Sequence, residues 1–313
     1  RYILSSRAQQ GKEPMVDLTD SNKENSQHIN QFQADAGTLY VVATPIGNIS
    51  DISYRATETL QQVNLICAED TRHSQRLMSH YDITTPMISL HEHNEEARIE
   101  QIAEKLKEGL SVALISDAGT PLISDPGFKL VRGLRQKGFR ISPIPGASAL
   151  ISALSVAGLA TDSFSFWGFL PSKSKARKER YQALSEHKET LVFYESSHRI
   201  ADSLKDLNEV MGDRHVVIAR EITKNFETIL SGASSIVLEQ VINDPNQQKG
   251  EFVVMVEGVT KVSVGDEISH EARHIMSHLI SELPPNKAAK LTAQITGAKK
   301  KDLYQWALQQ KTD

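Results

Sequence analysis

From Gly37 onward the apolar residues fall into two alternating textures. Short runs rich in β-branched residues, at 39–44, 64–68, 112–116 and 140–144, predict strands. Between them, 55–62, 95–108 and 128–137 carry apolar positions at helical spacing. Strand-helix alternation of this kind predicts an α/β domain with a largely parallel sheet. Strand-like runs continue at 163–169, 190–194, 215–220, 227–230 and 251–257. Only one helix, at 234–242, separates the last three, which predicts antiparallel pairing. A boundary near Pro145–Ser148 then divides the core into two α/β units, 37–147 and 148–258.

Both flanks differ from this core. Residues 1–36 are polar and without periodicity, the composition of a disordered extension. A polar stretch at 258–269 leads into a helical tail, 268–313. There Ile275, Met276, Leu279, Ile280 and Leu283 have helical spacing, Pro284–Pro285 stops the first helix, Asn286 is expected to cap the second and Gly297 to end it. The third helix is expected at 301–310. Three short helices with a glycine-containing turn suggest a helix-turn-helix. Ile275, Leu279, Leu291, Ile295, Leu303 and Trp306 are its expected apolar core.

Composition narrows the class. No apolar run approaches the roughly 20 residues of a membrane span, and the first residues lack a signal-peptide pattern, so the expectation is a cytoplasmic protein without membrane contact. The single cysteine, Cys67, excludes an internal disulfide framework and a multi-cysteine zinc site, and its apolar surroundings make it a core residue. His91 and His93 form a pair with no third ligand nearby, so no metal is expected. Net charge is −4, yet Lys173, Lys175, Arg177, Lys178 and Arg180 crowd one stretch, and Lys287, Lys290, Lys299, Lys300, Lys301 and Lys311 crowd the tail. Local basic patches on an acidic chain point to a focused polyanion such as RNA, although solvated helix faces have the same look.

Candidate chemistry sits in the loops after the strands, where open α/β sheets bind ligands. Residues 44–51 (TPIGNISD) follow the first strand but lack both a P-loop lysine and a three-glycine fingerprint. Residues 116–127 (SDAGTPLISDPG) combine small residues, which let backbone approach a ligand, with two carboxylates and no basic residue. Such a loop suits a positively charged ligand better than a phosphate. S-adenosylmethionine, with its sulfonium and ammonium, matches in sign; a bland loop stabilised by aspartate caps is the alternative. Residues 145–149 (PGASA) repeat the arrangement, with Ser148 placed to bond a ligand or to cap a helix. Charged groups at 194–199, 220–224 and 249–251 end strands of the second unit, as ligand-facing groups or as structural ion pairs.

Taken together, 39–48, 68–72, 116–127, 168–171, 193–199, 219–224 and 249–251 resemble the tetrapyrrole methylase superfamily, from about Gly37 to the C-terminus. Ala147, after Pro145-Gly146, is a mild departure. The resemblance implies two α/β domains with a cleft between them that binds S-adenosylmethionine, lined by Pro45, Asp117, Ala118, Gly119, Thr120, Ser148, Ala149 and Glu195. The branch it fits best carries a helix-turn-helix-like tail. That branch implies 2′-O-methylation of a cytidine in the decoding region of 16S rRNA, on the 30S subunit, by a homodimer. A ribose hydroxyl is a poor nucleophile at neutral pH, so a base is expected; Glu221 is the candidate, with Lys224 as its electrostatic partner. The rival readings are a relative acting on a tetrapyrrole or a protein, which the basic clusters and tail disfavour, and a non-catalytic RNA-binding assembly factor, which the intact acidic loops disfavour.

Overall fold

The computed structural model describes residues 32–259, 268 and 270–309. The first unit runs β1 (Thr38–Val42), α1 (Tyr54–Gln62), β2 (Leu65–Ala68), α2 (Thr71–His80), β3 (Met87–Ser89), α3 (Glu95–Lys107), β4 (Val112–Ile115), α4 (Phe128–Gln136) and β5 (Arg140–Ile144). Its five strands pair in parallel in the order β3-β2-β4-β1-β5. Helices cover both faces, so the central strands are apolar on both sides. Tyr40, Val42, Ile66, Ala113 and Ile115 face α1 and α2, whereas Leu39, Cys67, Val112 and Leu114 face α3 and α4. Cys67 is fully buried there, and burial pushes its thiol up to about 12, so it is an inert core residue.

The second unit runs α5 (Ala149–Ala157), β6 (Phe164–Phe169), α6 (Ser174–Leu184), β7 (Thr190–Ser196), α7 (Ile200–Met211), β8 (His215–Arg220), β9 (Thr228–Ala233), α8 (Ser234–Asn243) and β10 (Glu251–Val256). Its order is β6-β7-β10-β8-β9, with β6 parallel to β7 and the other pairs antiparallel. The antiparallel pairing expected of the last three strands is present. Leu191, Phe193, Ile218 and Val254 pack under α6–α8. The opposite face, with Val192, Val217, Val253 and Met255, is covered by Leu150, Ala153 and Leu154 of α5. The helix that directly follows Pro145-Gly146 therefore already belongs to the second sheet.

Residues 1–31 of the expected disordered extension lie outside the described residues. Its last five are fixed to the first unit, which corrects that expectation for 32–36. The Phe32 ring meets Tyr40 edge-on at 5.5 Å, the Gln62 amide binds both Phe32 O and Ala34 N, and Asp35 pairs with Arg140 at 2.7 Å. A single aromatic with local hydrogen bonds anchors a segment whose composition looks unstructured.

The tail consists of α9 (His270–Glu282), α10 (Pro285–Thr296) and α11 (Lys300–Gln309). Gly297 ends α10 in the left-handed conformation, φ 73°, as expected. Asn286 does not cap α10: Pro284 stands at the N-cap and Pro285 opens the helix, where a fixed φ and a missing N–H cost nothing. The core also differs. Ala272, Met276, Ala288, Ala289, Leu303 and Ala307 are buried, while Leu291 and Ile295 are exposed. Alanines bring the helices close and leave the larger side chains outside. No helix among the described residues is long and apolar enough to cross a membrane.

Candidate active site

The loops after β1, β4 and β5 are tied to one another. Thr44 and Gly119 exchange backbone hydrogen bonds at 2.9 and 3.0 Å, and the Thr120 hydroxyl donates to Ala147 O at 3.0 Å. Gly119 has φ +82° and Gly146 brings its backbone against Ala43, which explains the small residues in both loops. The first loop also reaches the second unit. Asn48 N donates to Thr223 Oγ1 at 3.1 Å, and Gly47 packs so closely on Ile222–Lys224 that a Cβ would lie 2.5 Å from Lys224 Cγ.

Between the two units these loops leave a cavity of about 390 Å³. Ala118, Gly119, Thr120, Ser148, Ala149, Glu195 and Lys224 line it, seven of the residues expected at a site. Ser148 stands at the N-cap of α5 but makes no capping bond, so its hydroxyl is free for the cavity. Pro45, Asp117 and Glu221 stand outside the lining. Asp117 Oδ1 accepts the Asp70 N–H at 3.1 Å and so braces the loop after β2. The Glu221 carboxylate is bound by Lys224 Nζ at 2.8 Å and by the Glu251 N–H at 3.0 Å, and it packs on Gly250, where a Cβ would meet it at 2.5 Å. Burial works against its ionisation, but these two donors hold its carboxyl below the usual range. Lys224 also pairs with Glu251; burial draws its ammonium down, yet both carboxylates keep it above its ordinary value. Its positive charge is thus neutralised within the wall.

Several further lining residues lie within the segments marked in the sequence but were not singled out there as site residues. Phe169 and Tyr194 form an aromatic side of the cavity, their rings 5.6 Å apart, and Ile46, Ile123, Ile222 and Val253 an apolar one. Asp125 also lines it. Burial pushes the Asp125 carboxyl up to about 7, with the negative charges of Glu69 and Asp117 adding to the effect. Strain clusters here as well: Leu122, Ser124, Glu221 and Thr223 are non-glycine residues with positive φ, in the two loops that face each other across the cleft.

Glu195 is the most informative residue. Its side chain is 2% exposed; Oε1 accepts from the Ser196 N–H at 2.9 Å and from Arg199 Nη2 at 2.7 Å. Oε2 is buried and has no hydrogen-bond partner among the described residues. A buried acceptor left open on a cavity wall calls for a donor from a ligand, because an unmade bond costs about 1–3 kcal/mol or more for a charged group. Glu195 and Glu251 give the wall an acidic character that repels a phosphate and suits a cationic ligand. S-adenosylmethionine meets these demands: sulfonium and ammonium for the carboxylates, hydroxyl and amine donors for Glu195 Oε2, and a flat base for the apolar side.

The profile of the tetrapyrrole (corrin/porphyrin) methylases matches residues 38–235, the first unit and the second as far as the start of α8. The chain belongs to the tetrapyrrole methylase family, and its methyl donor is S-adenosylmethionine. The tail matches the RsmI C-terminal HTH domain over 266–311. A protein of Haemophilus influenzae named ribosomal RNA small subunit methyltransferase I is 53% identical, covering 87% of this chain and 96% of its own. One of Pseudomonas aeruginosa with the same name is 52% identical over 88% and 98%. Among solved structures, the methyltransferase CobJ superposes with a TM-score of 0.53 at 20% identity, covering 74% of this chain and 98% of its own. A diphthine synthase gives 0.53 at 14%, over 70% and 90%. At such identities these likenesses establish the fold alone.

Proposed function

We propose that the chain transfers the methyl group of S-adenosylmethionine to the ribose 2′-oxygen of a cytidine in the decoding region of 16S rRNA, within the small ribosomal subunit. The near-full-length likeness to the Haemophilus influenzae protein, helical tail included, carries this reading. The resemblance also brings a homodimer and a cytoplasmic setting. Glu195, Ala118–Thr120, Ser148 and Ala149 would hold the cofactor, with Pro45 and Asp117 supporting their loops from behind. When bound, S-adenosylmethionine supplies a methyl carbon already activated by the sulfonium. The protein's share is then alignment, which can contribute several kcal/mol, and acceptance of the ribose proton.

Exposed cations suited to the RNA backbone lie in two places. On α6, Lys173, Lys175 and Arg180 face solvent, and the Arg180 guanidinium lies 5.6 Å from the Trp167 ring centroid. On the tail, Lys287, Lys290, Lys300 and Lys301 are exposed; Lys311 lies outside the described residues. Phosphate contacts position a protein on RNA and make its binding steep in salt.

Comparing the full chain with one ending at Val259 tests this arrangement. Val259 N bonds His187 O, so the cut leaves the second unit closed. The shortened chain is expected to bind S-adenosylmethionine as before, to methylate intact small subunits more slowly and to show a shallower salt dependence of RNA binding. An unchanged rate and slope would remove the tail from RNA contact.

A further inference from the structure

Among the described residues three carboxylates line the cleft: Glu195, Glu251 and Asp125. Glu195 is committed through Oε1 to Ser196 and Arg199. Glu251 has a side chain 79% exposed and holds Lys224 at 2.8 Å. Glu221, behind the wall, is locked by Lys224 and the Glu251 N–H. Lys224, shared between two carboxylates, stays protonated and cannot accept a proton. Among the described residues, only Asp125 lines the cavity without a cationic partner acting on it: the charges it feels are those of Glu69, just after β2, and of Asp117, in its own loop.

The loop that carries Asp125 is built to hold it still. Leu122 and Ser124, just before it in the chain, lie in the left-handed region at φ 73° and 69°. Two residues on, Gly127 has φ +122°; its N–H is bound by the buried carboxylate of Glu95, and a Cβ there would strike Leu114 and Leu122. Across the cleft Gly168 brings its backbone against Ser124 Oγ, where a Cβ would approach to 3.3 Å. Strain maintained by packing on both sides is the signature of a positioned group. The groups facing Asp125 are Glu69, Asp117, the Ser116 hydroxyl and, from β7, the Tyr194 phenol, whose oxygen accepts from Leu150 N and keeps its proton available to donate. Glu195 Oε2, buried and unpartnered on the same wall, independently marks this cavity as a ligand site.

We propose that Asp125, rather than Glu221, is the general base that accepts the proton of the ribose hydroxyl, an inference that rests on the reading of the cleft as a ribose-methylating site. The hydroxyl proton passes to the Asp125 carboxylate as the oxygen lone pair forms the bond to the methyl carbon. The carbon–sulfur bond breaks with its electrons going to sulfur. The products are the methyl ether, a neutral thioether and protonated Asp125, which returns its proton to water. Burial in an acidic pocket suits the group to this task, since a base is most effective when its pKa lies near the working pH. The sign follows: the carboxylate must be ionised, so the rate rises with pH through about 7 and levels above it.

Two measurements on Asp125→Asn test the proposal. The first is kinetic: kcat on small subunits should fall by about 10² to 10⁴-fold, the acidic limb of its pH profile should vanish, and Asp125→Glu should restore part of the rate. Calorimetry should find the S-adenosylmethionine Kd of Asp125→Asn unchanged, which also certifies its fold. The second needs no turnover: carbon-13 NMR of the aspartate carboxyls, with the resonance assigned by its loss in Asp125→Asn, should titrate near 7. A variant with full rate and an intact acidic limb, a resonance titrating near the ordinary 4, or a large loss of cofactor affinity would each overturn the assignment. A wild-type protein that methylates no small-subunit RNA would instead fail the functional reading beneath it.

Discussion

Glu195→Gln is expected to weaken S-adenosylmethionine binding by about 1.5–3 kcal/mol, roughly tenfold to 150-fold in Kd. The substitution keeps the shape of the side chain and removes the charge from Oε2, the buried oxygen left open on the cavity wall. A ligand donor that met a carboxylate then meets a neutral amide. The same change strips Arg199, whose guanidinium is 2.7 Å from Oε1 and also bonds Leu170 O. Some loss of stability accompanies the loss of affinity, so thermal denaturation is needed beside calorimetry. Unchanged affinity in a folded variant would take Glu195 out of the site and leave its open oxygen without an explanation.

Arg177→Leu is expected to cost about 3–5 kcal/mol of stability, the usual result of removing one partner from a buried ion pair. Arg177 and Asp206 have side chains only 3% and 7% exposed and meet at 2.6 Å. Arg177 also donates to Asp206 from Nε and to Ser172 O, and the Ser174 hydroxyl binds the other Asp206 oxygen. Without the guanidinium, Asp206 keeps Ser174 and the more distant Lys178, too little for a buried charge. Lys175→Ala and Arg180→Ala, on the outer side of the same helix, should stay within about 0.5 kcal/mol of wild type while weakening RNA binding. Chemical denaturation of the three variants checks the contrast, and equal losses in all three would contradict it.

That contrast shows how the chain can be read and where reading stops. A run of five cations at 173–180 looks like one basic face. Helical spacing turns Arg177, Tyr181 and Leu184 inward together, and Lys178 pairs with Glu209. Which lysine or arginine points inward depends on an aspartate of α7, some thirty residues away. The strands were legible because burial on both faces demands unbroken apolar runs, as in Val112–Ile115. By contrast α2 is mostly polar, burying only Ser74 and Met78, and β3 is a three-residue edge strand; neither carries a pattern long enough to stand out.

The site was legible in its loops and hidden in its convergence. Small residues after β1, β4 and β5 signal close backbone approach, and there the structure brings Ala118–Thr120, Ser148 and Ala149 to one cavity. Positive φ at Leu122, Ser124, Glu221 and Thr223 leaves no trace in residue type, because none is glycine. The acidity around Asp125 comes from Glu69 and Asp117, which different loops deliver. Glu221 attracted attention as a carboxylate at a strand end, yet only the fold reveals that Lys224 and the backbone beside Gly250 have already claimed it.

The most direct test is transfer of a labelled methyl group from S-adenosylmethionine by the purified chain to small subunits taken from cells that lack it, followed by mapping of the label. One stoichiometric ribose methyl on a cytidine of the decoding region is the predicted result, its rate cut about 10² to 10⁴-fold by Asp125→Asn and reduced by Glu195→Gln at limiting cofactor. Label that fails to enter the RNA, or that enters it on a base instead of a ribose, would contradict the account.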